Sequence, residues 1–110
     1  MSSRLPNYLR TYRKRASLSQ DEVAFLLGLD SGKRVCLYER SIRQPRLDIA
    51  LAYEAILRTP IRELFRGVYQ RVERSVAQRA AALSRRLSRP EPDRATERKL
   101  AALACVRRKQ

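Results

Sequence analysis

Apolar residues recur at helical spacing along most of this chain, and polar or helix-breaking residues divide them into six segments. Leu5, Leu9, Tyr12 and Ala16 predict a first helix over residues 6–16, with Arg10, Arg13, Lys14 and Arg15 around them. Ser19 and Glu22 then stand at capping-box spacing ahead of Val23, Ala24 and Leu27, which starts a short second helix that Gly28 ends. Asp30 or Ser31 can cap a third helix over residues 32–39, with Val35 and Tyr38 as its apolar positions. Residues 41–45 read as a loop. Leu47, Ala50, Leu51, Ala55 and Leu57 resume the period as a fourth helix, which Thr59-Pro60 interrupts.

Thr59 as N-cap and Pro60 as first helical residue predict a fifth helix that carries Ile61, Leu64, Phe65, Val68, Val72, Val76, Ala80, Leu83 and Leu87. Residues 88–92, with two prolines, must break it, and a last helix is expected over residues 93–108. No alternating strand pattern or internal repeat interrupts this series, so the expected fold class is all-α. The expected division is residues 5–66 as one domain and residues 67–110 as a basic helical extension.

Charge narrows the function. The 110 residues hold 25 Lys+Arg against 11 Asp+Glu, a net charge of +14, and the tail is the more basic part. Arginine dominates, and its guanidinium fork bonds phosphates and guanine edges in bidentate fashion, so a polyanion is the first expected partner. With no His, the usual neutral-pH base and the commonest metal ligand are missing; an enzyme is not expected, nor any cofactor or metal. Cys36 and Cys105 form no CxxC pair, which suits a reducing cytoplasmic setting. The first ten residues lack an apolar run, and no later stretch is long and apolar enough to span a bilayer, so neither a signal peptide nor a membrane partner is expected.

Two short helices joined by a glycine turn, the second with basic residues at its start, outline a DNA-binding helix-turn-helix. Leu18-Ser19-Gln20-Asp21-Glu22-Val23-Ala24, Leu27-Gly28, Val35, Tyr38-Glu39-Arg40, Pro45, Leu47 and Ile61-x-Glu63-Leu64-Phe65 together resemble the phage-repressor (Cro-like, XRE) helix-turn-helix family. The resemblance covers roughly residues 9–65. It implies a five-helix repressor-like domain, here with a long extended fifth helix and a short C-terminal helix, whose third helix enters the major groove to regulate transcription. One feature departs from the family: Glu39 stands eleven positions after Gly28 instead of ten, which puts an extra residue within 30–33.

With Val35 taken as buried, Lys33, Arg34 and Leu37 become the base-edge candidates, with Gly32 and Cys36 beside them. Backbone phosphates are assigned to Gln20, Ser31, Arg40, Arg43, Gln44 and Arg46. In similar repressors an arginine of helix one pairs with the acid ending helix three, which nominates Arg13 and Glu39. The stripe Leu64, Val68, Val72, Val76 continues past the domain and must be covered, either by a two-fold mate, the preferred reading, which gives a homodimer reading a palindromic DNA site near the nucleoid, or by residues 93–108 folding back on it in a monomer. Arg85, Arg86, Arg89, Arg107, Arg108 and Lys109 either clamp flanking DNA or stay solvated. The competing readings are an antitoxin or mobile-element regulator that uses the extension to hold a protein partner, and a basic RNA- or ribosome-associated protein.

Overall fold

The structure, a computed structural model, describes residues 6–108, with the side chains of Arg107 and Arg108 left aside; Leu5 and Lys109 lie outside the described residues. Among these residues seven helices and no strand are found: α1 (Leu9–Arg15), α2 (Gln20–Leu27), α3 (Gly32–Glu39), α4 (Leu47–Leu57), α5 (Ile61–Leu64), α6 (Arg66–Leu87) and α7 (Arg94–Arg108). The all-α expectation therefore holds. No helix among the described residues is long and apolar enough to cross a membrane.

The helix limits follow local chemistry. Asn7 delays α1, because its Oδ1 accepts the Leu9 amide. α2 begins with the expected reciprocal cap, Glu22 N–H donating to Ser19 Oγ at 3.0 Å and Ser19 N–H to Glu22 Oε1 at 2.8 Å. Gly28 closes α2 at φ 78°, a left-handed conformation that glycine adopts at little cost. Ser31, not Asp30, caps α3. α4 ends on Arg58 at φ 54° with no glycine to mark the turn.

The predicted fifth helix is two helices. Phe65 leaves helical geometry at φ −114° and ψ 46°, separating the single turn of α5 from the long α6. Its ring is buried and meets Tyr53 edge-on at 6.3 Å, so the backbone bends to deliver that ring to the core. The amides of Tyr8 and Gly67 bond to the carbonyls of Leu64 and Pro6, which ties the chain start to this break. Thr59 does not cap α5, since its hydroxyl donates to the Leu57 carbonyl, and Pro60 stands one place before the first helical residue. The Ile61 amide is met instead by Glu54 Oε1 of α4 at 2.9 Å.

The chain forms two compact units, Met1–Tyr69 and Gln70–Gln110, so the boundary falls inside α6, a few residues later than expected. In the first unit Leu9, Val23, Val35, Tyr53 and Leu64 are fully buried, each contributing about 1.5–3 kcal/mol of apolar burial. They join Ala24, Leu27, Tyr38, Ile49, Ala50 and Phe65 in one core. In the second unit Ala77 and Ala80 of α6 and Thr96 of α7 are buried, and Asp93 Oδ1 caps α7 by accepting the Thr96 amide.

Candidate functional site

α3 buries Gly32, Val35 and Tyr38 and turns Lys33 and Arg34 outward, with Cys36 and Leu37 half-exposed beside them. The three base-edge candidates thus share the outer surface of one helix. Gly32 does not join them. Its amide donates to Asp21 Oδ1 at 2.8 Å, and a Cβ at this position would stand 2.7 Å from that oxygen and 3.1 Å from the Asp21 amide nitrogen. Only a residue without a side chain lets the start of α3 approach the start of α2 so closely.

Two surface clefts flank α3. One is lined by Arg10, Ser19, Gln20, Ser31, Lys33, Cys36 and Arg40, together with Gly32, the paired Arg13 and Glu39 and the carboxylate of Asp21; the other by Ser31, Lys33, Arg34, Leu37, Arg43 and Arg46, with the turn residues 28–30. Lys33 lines both, so the first turn of α3 is a ridge between two basic walls. Gln44 is exposed on the following loop, and Arg46 lies 3.5 Å from Asp48 in an exposed pair. A pair so open to water contributes little to stability and leaves the guanidinium able to exchange partners.

Beneath the first cleft lies the predicted ion pair. Arg13 Nε meets Glu39 Oε2 at 2.5 Å and Arg13 Nη2 meets Glu39 Oε1 at 3.2 Å, a two-point contact between side chains only 10% and 4% exposed. Arg13 Nη1 also donates to the Leu18 carbonyl. The hydrogen bond to Glu39 raises the Arg13 pKa further. This contact fixes α1 to the end of α3, and the extra residue near Gly32 has not displaced Glu39 from it.

Gln20 is drawn to the same pair: Nε2 donates one N–H to Glu39 Oε1 at 3.1 Å, and the second N–H of that amide stays available to a phosphate. The Ser31 hydroxyl oxygen accepts the Lys33 amide, and its O–H stays available to donate. Reading the sequence also missed three contributors. Arg10 reaches the first cleft from α1, one turn ahead of Arg13. Asn7 Nδ2 donates to the Tyr38 carbonyl and to Ser41 Oγ, clamping the end of α3. Asp21, understood as a helix-starting charge, carries the contact to Gly32.

The predicted dimer stripe is divided. Leu64 is fully buried and closed to a partner, Val68 is half-buried against the core of the first unit, and Val72 and Val76 remain exposed. Leu64 belongs to α5, before the break at Phe65, and along α6 the stripe drifts because residues four apart advance by more than one full turn. Arg85, Arg86 and Arg89 are exposed. Among the described residues no cluster of His, Cys, Asp and Glu is arranged to hold a metal ion. No family model, curated protein or solved structure matches the chain.

Proposed function

We propose that this chain is a sequence-specific, double-stranded-DNA-binding regulator of transcription that acts as a homodimer and performs no catalysis. In this reading α2, the Gly28 turn and α3 work as a repressor-like helix-turn-helix, and α3 enters the major groove. The observation that carries it is the exposed first turn of α3, with Lys33 and Arg34 standing between two clefts walled by Arg10 and Arg40 on one side and Arg43 and Arg46 on the other. A ridge inside the major groove lies between two phosphate backbones, so cationic walls on both sides complement the duplex.

Arg34 reads guanine, Lys33 guanine or a neighbouring phosphate, and Leu37 a thymine methyl. Arg10, Arg40, Arg43 and Arg46 hold phosphates. The residues that match the Cro-like pattern add to this reading, as does the Arg13–Glu39 pair, which the same pattern nominated. A cytoplasmic protein held on the nucleoid follows from such a partner.

Selection of bound sequences from random duplex DNA at near-physiological salt tests the proposal. An enriched inverted repeat with half-sites about 34 Å apart is the expected result. Salt-sensitive binding that enriches no motif overturns it in favour of a non-specific nucleic-acid-binding role.

A further inference from the structure

In the second unit α6 carries an exposed seam. Val72, Val76 and Leu83 are 46%, 42% and 42% exposed, and with Arg79 they repeat at intervals of four, three and four residues, the a/d spacing of a coiled coil. With about 3.6 residues per turn, Arg71, Arg74 and Arg85 fall on the far side of the helix from Val76. Three of the six arginines of α6 therefore point away from the seam, Arg66 and Arg86 stand at its flanks and Arg79 lies within it, which leaves its apolar positions open to a second helix.

Two charged residues, Glu73 beside the seam and Arg79 within it, lack a partner on their own helix. Glu73 is half-buried, and its neighbours three and four positions away are Tyr69, Gln70, Val76 and Ala77, none of them cationic in a helix with six arginines. Arg79 has Ser75, Val76, Ala82 and Leu83 at those positions, none acidic. Among the described residues neither takes part in an ion pair. Both stand three residues from Val76, Glu73 before it and Arg79 after it.

We propose that a second copy of this chain covers the seam, its α6 running antiparallel, with the two-fold axis passing beside Val76. Val76 then meets Val76 of the partner subunit, and each Glu73 lies level with Arg79 of the partner subunit. Parallel pairing sets Arg79 level with Arg79 and Glu73 level with Glu73, two layers of like charge in one short seam. The inference rests on the two-copy part of the proposed function and gives it an orientation and a register.

Sedimentation equilibrium of the full chain without DNA tests it, with circular dichroism confirming that each variant keeps its helices. The wild type is expected to dimerise. Glu73→Arg and Arg79→Glu are each expected to raise the dimer dissociation constant about tenfold, and the double variant to return it close to the wild-type value. In a background of Cys36→Ser and Cys105→Ser, Val76→Cys is expected to cross-link two copies, and Val72→Cys is not. A monomeric wild type, single variants without effect, or a double variant as weak as the singles overturns the proposal; so does Val72→Cys cross-linking as fast as Val76→Cys, the mark of parallel pairing. Dimers that pass these tests but enrich no DNA site uphold the pairing and reject the DNA reading alone.

Discussion

Arg13 and Glu39 illustrate how much a residue pair can be asked to do. Their carboxylate and guanidinium are almost wholly removed from water, and the same carboxylate also accepts the Gln20 amide. A pair of this kind adds little over a well-packed apolar pair, but removing one member strands the other without compensation. Arg13→Ala is expected to lower stability by about 3–5 kcal/mol, measured by urea unfolding, a large share of what a small domain possesses. Tyr53 presents the opposite case. Its side chain is fully buried, its hydroxyl finds no hydrogen-bond partner among the described residues, and burial pushes its phenol pKa upward. Tyr53→Phe removes a polar group that is desolvated without return and keeps the ring contacts to Tyr38 and Phe65. Its melting temperature is expected to equal or exceed that of the wild type.

Helix limits were legible where one residue type settles them. Ser19, Glu22 and Gly28 stated the start and end of α2, and the interval from Gly32 to Glu39 gave α3 its full extent. They were illegible where tertiary contact decides. No proline marks Phe65 and Gly67 is the only weak helix former beside it, while the break coincides with burial of the Phe65 ring in a core that includes Tyr53. Glu54 in the same way satisfies the Ile61 amide from another helix, which no spacing rule anticipates. Glu54→Ala leaves that amide uncapped and is expected to cost about 0.5–2 kcal/mol in thermal or urea unfolding.

The start of α2 carries a pH dependence. The Ser19 amide and hydroxyl hold the Glu22 carboxyl below its ordinary value of 4.5. A depressed pKa contributes stability that is present above the ordinary value and disappears as pH falls through the depressed one. Wild-type stability is therefore expected to decline on acidification through that range, and Glu22→Gln to flatten this part of the profile; unchanged curves for the two proteins would show the cap to be energetically silent.

At the scale of the whole molecule the charge is divided by position more than by amount. The Cro-like spacing made the ion pair and the exposed part of α3 readable, because a buried Val35 fixes which neighbours face out. It left Arg10 unread, because the cleft that Arg10 lines is assembled by the packing of three successive helices, which residue spacing within any one of them does not state. Distinguishing these roles is a matter of salt. If a dimer neutralises about ten phosphates, log K is expected to fall against log salt with a slope of magnitude about 9. Arg43→Ala and Arg10→Ala, on opposite sides of α3, should each reduce that slope by about 1 for every phosphate the arginine neutralises and leave the preferred sequence unchanged. Arg34→Ala should keep the slope and give up about 1–3 kcal/mol of discrimination at one base pair. Interchanged results for Arg34 and Arg10 would mean that the first cleft, not the ridge, faces the bases, and the docking of α3 would have to turn about its own axis accordingly.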